Sequence, residues 1–167
     1  IYKKNKINIE NKKKNSLFVG KLNHAKGYHI FTEAALKFKK IDPSWNFIAI
    51  GNEARKEIFP DKNIVKEIGY KKNSEVLDFY SDSEIAIGNS VWDEPLGRIA
   101  IEASSRKCFP IISNKGGLAE SKNIALVLKE NSSLELVNIL KKITKNKSLR
   151  RQKQKIFYKN NNFDIKK

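Results

Sequence analysis

Between Val91 and Glu120 the chain reads VWDEPLGRIAIEASSRKCFPIISNKGGLAE, and two of its acids, Glu94 and Glu102, stand eight positions apart around a Pro-Leu-Gly turn. Ile99, Ala100, Ile101 and Ala103 surround Glu102 with apolar neighbours. A carboxylate inside an apolar helix needs a partner or a ligand, because burying it unpaired is costly. Pro95 suits the first turn of a helix, and Gly97 lets a ligand approach the backbone. The free amides of such a helix end carry partial positive charge and bind phosphate. Glu94, just ahead of the helix, can accept hydrogen bonds from sugar hydroxyls, and Glu102 can accept them from a ribose. The combination describes a site for a polyhydroxylated, phosphorylated small molecule. A competing reading makes Glu94 an ordinary acid at a helix start and Glu102 a surface residue; the apolar neighbours of Glu102 weaken it. The stretch closes with a second glycine-rich turn, Asn114 to Gly117, and then Glu120.

A second loop reads GKLNHAKGYHIF, with Lys21 and Lys26 five positions apart between Gly20 and Gly27. Two cations at the mouth of a sheet suit a diphosphate. The plainer alternative is two surface lysines among the 34 basic residues of the chain. Neither G-x-G-x-x-G nor G-x-x-x-x-G-K-[ST] occurs, so dinucleotide and P-loop readings lack their fingerprints. The two histidines, His24 and His29, read as loop or helix-surface residues. The single Cys108 excludes an internal disulfide and reads as a small buried hydrophobe, and no Cys/His cluster has metal-ligand spacing. Trp45, near Pro43, reads as packing, and Trp92, beside Asp93, is open to two readings, an ordinary loop residue or a border of the site.

These loops need elements to hold them. Strands are expected at Leu17–Gly20, Phe47–Gly51, Ile64–Ile68, Ile85–Gly88, Phe109–Ser113 and Ile124–Leu128. Helices are expected at Tyr28–Lys40, Glu53–Phe59 with Pro60 as its stop, Ser74–Ser81 with Ser74 as N-cap, through Ile99, Ala100 and Ala103, and over Ser133–Lys145 and Ser148–Tyr158. Apolar strands alternating with helices predict a Rossmann-like doubly wound parallel sheet of about six strands with helices on both faces. Gly20-Lys21, Gly51-Asn52, Gly69-Tyr70, Gly88-Asn89-Ser90 and residues 114–117 each follow an expected strand. Polar and glycine residues therefore gather at the carboxyl rim, where such sheets bind ligands.

At 167 residues and 40% hydrophobic content the chain is one domain with a real core, and it holds neither a membrane-length apolar run nor a secretory signal. A cytoplasmic setting fits. The net charge of +16 is concentrated in Lys3–Lys14 and Lys141–Lys167 among asparagine and isoleucine, and genomic base composition acting on solvated surface accounts for it. Contact with anionic lipid at the inner membrane face is the second reading. Nucleic-acid binding ranks last, since no recognition motif accompanies the charge. The polar start and the absence of methionine lead us to expect sequence before Ile1.

G-K-L-x-x-x-K-G, then E-P-L-G-R-I-A-I-E-A, then P-I-I-S-N-K-G-G-L-A-E resembles the C-terminal, nucleotide-sugar-binding domain of a family-four retaining glycosyltransferase of GT-B fold, over roughly Leu17 to Leu140. The resemblance implies that Glu94 contacts the donor sugar and Glu102 the ribose. It places Lys21 and Lys26, with Gly20, at the diphosphate, beside the amides near Pro95, Leu96 and Gly97, and puts Tyr70 and Lys71 at the base through backbone. Catalysis would rest on Glu94, Lys21 and Lys26, with a UDP- or GDP-type sugar as substrate and neither metal nor cofactor. Lysines replace a usual arginine–lysine pair, and Lys107 stands where the family has a glycine. The implied division is an interdomain segment at 1–15, the nucleotide-sugar-binding domain at 16–146, and a basic helix and tail at 147–167. The acceptor-binding N-terminal lobe is absent, so the piece alone is expected to be inactive. The implied role is hexosyl transfer to a glycan or lipid-linked acceptor in polysaccharide or lipopolysaccharide biosynthesis. A GT-B epimerase or phosphorylase fragment and a basic nucleic-acid module are the alternatives.

Overall fold

Apolar runs with β-branched and aromatic side chains form the strands, and both sides of each central strand are covered. In β1 (Lys13–Val19) Leu17 faces one layer and Phe18 the other; in β4 (Ser83–Gly88) Ala86 and its neighbours Ile85 and Ile87 divide the same way. The computed structural model describes residues 6–161. With β2 (Asn46–Ile50), β3 (Val65–Glu67), β5 (Phe109–Ile112) and β6 (Leu126–Val127) these strands make one parallel sheet in the order β3-β2-β1-β4-β5-β6. This is the expected doubly wound Rossmann-like sheet.

On one face α1 (Tyr28–Lys39) and α4 (Ser133–Lys145) bury Phe31, Phe38, Leu136 and Leu140 against Phe18, Phe47, Ile85 and Ile87. On the other, α2 (Asn73–Asp82) and α3 (Arg98–Ser105) bring Val76, Leu77, Tyr80 and Ala103 onto Leu17, Ile50 and Ala86. Ser132 caps α4 by accepting the Glu135 amide at 3.1 Å, and the Glu135 carboxylate takes the amides of Lys129, Glu130 and Asn131. α5 (Lys147–Asn160) packs its Phe157 ring edge-on to Phe109 at 5.4 Å.

The amino end of the sheet carries a buried ionic cluster. The Arg151 guanidinium donates to both oxygens of Glu84, at 2.6 and 2.8 Å, and Arg150 Nε and Gln154 Nε2 donate to Oε2. Burial opposes ionisation of Glu84, but Arg151, Arg150 and Gln154 outweigh it and hold the carboxyl below its ordinary range. Arg150 also stacks over Trp45 and donates to the carbonyls of Ile143 and Thr144, closing the end of α4. Part of the basic character read from the C-terminal sequence is thus structural.

Several local expectations need correction. No helix forms over 53–59: the Glu53 carboxylate accepts the Arg55 amide and Asn23 Nδ2, so local bonds compete with a segment too short to nucleate. Ser74 lies inside α2 rather than at its cap, which is Lys72, whose amide donates to the Glu75 carboxylate at 2.9 Å. β1 starts earlier than expected, at Lys13, and β6 is shorter. Lys107 adopts φ 55°, with its amide on Ser104 O and that of Cys108 on Ala103 O, both at 3.0 Å. That is a Schellman turn closing α3, and it explains why a glycine suits the position. Residues 1–5 of the expected interdomain segment and 162–167 of the basic tail lie outside the described residues.

Candidate functional site

The strand order reverses at β1, which pairs with β2 on one side and β4 on the other. The loops leaving β1 and β4 lead to α1 and α3 on opposite faces, so a crevice opens at the carboxyl ends of these two strands. Two adjoining cavities occupy it. One, about 180 Å³, is lined by Gly20, Lys26, Ser90, Glu94, Leu96, Gly97 and Arg98 over the ends of β1 and β4. The other, about 270 Å³, is lined by Tyr70, Lys71, Asn73, Tyr80, Arg98 and Glu102. Val19, Arg98 and Ile99 belong to both, and together the cavities fall in the range of about 300–1,000 Å³ typical of small-molecule sites.

The residues expected at the site divide between these cavities. Gly20, Lys26, Glu94, Leu96 and Gly97 face the first, and Tyr70, Lys71 and Glu102 face the second. Lys21 and Pro95 are exposed and line neither. The Glu53 carboxyl is held below its ordinary range by the Arg55 amide, then by Asn23, with the Lys21 charge adding to the effect. Glu120 is exposed and joins neither carboxylate. Trp92 is exposed, while the rings of His24 and His29 lie tilted against each other, 4.6 Å apart, outside both cavities.

Lys26 Nζ pairs with Glu94 Oε1, the two side chains being 31% and 17% exposed. Buried polar groups bring these residues from separate loops into register. Asn89 Nδ2 donates to Gly27 O at 2.9 Å, Ser90 Oγ to Ala25 O at 3.0 Å, and the Val91 amide to Ala25 O at 3.0 Å. Asn131 Nδ2 reaches Asn89 O and Ser90 O, and Ser113 Oγ donates to Ser90 O at 2.6 Å. The loop after β1 is thereby fastened to the loop after β4, and its cation stands over the carboxylate.

The second glycine-rich turn supports Glu94 from behind. The Gly117 amide donates to Glu94 O at 2.5 Å, and a Cβ at Gly116 would lie 2.4 Å from that carbonyl oxygen. A Cβ at Gly117 would lie 2.7 Å from Pro95 O. The two glycines permit backbone to stack on backbone, which fixes the path from Asp93 to Gly97 ahead of α3.

Glu102 is held differently. Its side chain is 8% exposed, and Oε1 accepts from Asn73 Nδ2 at 3.1 Å and from Arg98 Nη2 at 2.9 Å. The Tyr80 hydroxyl on the same cavity wall is buried and has no hydrogen-bond partner among the described residues. Arg98, Asn73 and Tyr80 were missed as site residues in the sequence. The Arg98–Glu102 pair was open to the i,i+4 rule, whereas Asn73 reaches Glu102, and Tyr80 joins the same cavity, only through the packing of α2 on α3. Among the described residues no group of three or more His, Cys, Asp or Glu side chains is placed to hold a metal ion, and no helix is long and apolar enough to cross a membrane.

Comparison with known proteins agrees with this architecture. The chain is 31% identical over 121 residues to spore coat protein SA of Bacillus subtilis (strain 168), an overlap of 65% of the chain and 32% of that protein. It therefore spans about a third of the length of this curated relative. The C-terminal domain of the glycosyl transferase group 1 family protein LpcC from Francisella tularensis superposes with a TM-score of 0.76 at 22% identity, covering 90% of this chain and 85% of that one. HepE from Anabaena, solved in complex with UDP-glucose, gives 0.75 at 18% identity over 88% of this chain and 43% of its own. At these identities the two structures establish the fold. The family model for glycosyl transferases group 1 matches residues 2–160, nearly the whole chain, and the chain belongs to that family.

Proposed function

We propose that this chain is the donor-binding half of a retaining glycosyltransferase that takes a hexosyl group from a nucleotide diphosphate sugar. The observation that carries the reading is the pairing of each crevice carboxylate with a cation, Glu94 with Lys26 and Glu102 with Arg98, across two cavities that share a wall. A donor sugar at Glu94, a diphosphate at Lys26 and the amides near Leu96 and Gly97, and a ribose at Glu102 would follow the crevice from one cavity into the next. Tyr70 and Lys71 close the far end for the base. Lys21, exposed at the mouth, would add charge toward the diphosphate. Binding of UDP-glucose by HepE, which shares the fold, supports a nucleotide sugar as ligand.

In this reading the transition state is oxocarbenium-like, and the leaving diphosphate is stabilised by Lys26, with Lys21, and the amides near Leu96 and Gly97, groups already in place before reaction. Attack comes from the front face, with the acceptor, a glycan or lipid-linked sugar in polysaccharide or lipopolysaccharide assembly, held by a second lobe. The setting is the cytoplasm, peripheral to the inner membrane face. Because the chain covers 32% of its curated relative, we expect nucleotide binding without transfer. Calorimetric titration with UDP, GDP and ADP, set against a short DNA duplex, tests the donor site. Saturable nucleotide binding that is lost in Glu102→Ala supports it, and salt-sensitive duplex binding alone defeats it. Sugar transfer by the isolated chain would overturn the two-lobe division.

A further inference from the structure

Arg98 occupies the first position of α3 and lines both cavities. Its side chain is 59% exposed, yet its guanidinium is bonded to Glu102, whose side chain is 8% exposed. The asymmetry matters. A buried carboxylate must keep hydrogen-bond donors, while an ion pair with one exposed partner contributes little and breaks easily. Glu102 therefore needs donors but does not need Arg98 in particular. A vicinal diol entering the second cavity would supply two hydroxyl donors to Glu102, with Asn73 remaining in place. It would also bring an oxygen to the Tyr80 hydroxyl, which is buried on that wall without a partner among the described residues. Arg98, once displaced, remains anchored at the wall shared by the cavities, next to Gly97, and lines the same cavity as Lys26.

We propose that Arg98 is an exchanging binding residue: in the empty site it occupies Glu102, and when a ribose diol takes its place it turns to the diphosphate in the adjoining cavity. The inference rests on the donor-site reading above and adds a selection rule to it. A ligand with a diol alone must break the Arg98–Glu102 pair and gives the guanidinium nothing in return. A ligand with a diphosphate alone finds the guanidinium still engaged. A ligand carrying both satisfies every group, so the two parts are read cooperatively. The bidentate fork of arginine suits the exchange, since it fits carboxylate and phosphate equally.

The test measures the affinity of the 167-residue chain for uridine, UDP and 2′,3′-dideoxy-UDP, with the guanosine series in parallel, in wild type and Arg98→Ala. Loss of a charge-assisted contact predicts UDP or GDP binding about ten- to a hundredfold weaker in the variant. Nucleoside binding stays level or tightens, because no pair has to be broken. The dideoxy diphosphate, which leaves Arg98 on Glu102, loses less than about threefold. Equal weakening of nucleoside and diphosphate would show that Arg98 merely holds Glu102 in place and would overturn the exchange. Unchanged diphosphate affinity would overturn it as well. If wild type binds none of UDP, GDP and ADP, the donor-site reading fails and the exchange fails with it; wild-type binding with an insensitive variant sinks the exchange alone. Should Arg98→Ala alter the fold by circular dichroism, Arg98→Met keeps the aliphatic stem on the cavity wall and carries the same comparison.

Discussion

Gly27 and Gly69 share a backbone conformation and differ in surroundings, which makes them a matched pair. Their φ angles are +75° and +76°. A Cβ at Gly69 meets nothing within 4 Å, whereas one at Gly27 would lie 2.0 Å from Asn89 O and 2.7 Å from the Asn89 carbonyl carbon. Gly69→Ala should therefore cost only the left-handed conformation, about 1–2 kcal/mol. Gly27→Ala adds displacement of the loop after β1, because backbone atoms cannot step aside. That movement breaks the bond from Asn89 Nδ2 to Gly27 O and strains those that Ser90 and Val91 make to Ala25 O. At about 1 kcal/mol for each net hydrogen bond, the total reaches roughly 3–4 kcal/mol. The difference between the variants, about 2 kcal/mol, isolates the fastening of the two site loops. Urea denaturation followed by circular dichroism measures it, since domains of this kind have about 5–15 kcal/mol to lose and both variants stay folded. Below its transition, Gly27→Ala should also bind nucleoside diphosphates more than about tenfold more weakly, through displaced Lys26. Equal destabilisation by the two substitutions would falsify the claim that contact with Asn89 holds the loop.

Glu84→Gln leaves two buried guanidinium groups undercompensated and should destabilise by about 3–5 kcal/mol in chemical denaturation at neutral pH. The folded carboxyl titrates below its ordinary value of 4.5. Its stabilisation is thus complete above that pH and lost as pH falls through the lower folded value, and the variant should show a flatter acid limb below that ordinary value. Lys107→Gly relieves φ 55° and should stabilise by about 0.5–1 kcal/mol, after the loss of the Lys107 contact with the Tyr158 ring, raising the midpoint of a thermal melt by roughly 2–3 °C. Burial pushes the Cys108 thiol up to about 12, so a thiol reagent at pH 8 should label it only after unfolding; rapid labelling of the native chain contradicts the packing around it.

The parts of this molecule legible in sequence were those with local cause. Apolar runs at Leu17–Phe18, Ile85–Ile87 and Phe109–Ile112 fixed the strands, and the glycines after them marked the rim. The E-P-L-G segment could be placed before a helix because proline, glycine and free amides act within one turn. What stayed hidden is what packing decides. Asn89, Ser113 and Asn131 are ordinary polar residues until three loops bring them onto shared carbonyls. Gly116 and Gly117 read as a loop marker, and only the carbonyl above them reveals a need for bare backbone. Arg150 and Arg151 looked like surface charge because nothing in their neighbourhood announces Glu84, sixty-six and sixty-seven residues away.

Glu84 and Gly88 stand at opposite ends of one strand, about 13 Å apart at a rise of 3.3 Å per residue. The first anchors two arginines of the last helix, and the second opens onto the ligand crevice. At that separation, free-energy changes made at the two ends should add without interaction. The strand therefore acts as a thermodynamic insulator: the arginine lock can be strengthened to tolerate heat, and the rim can be rebuilt, each without reference to the other.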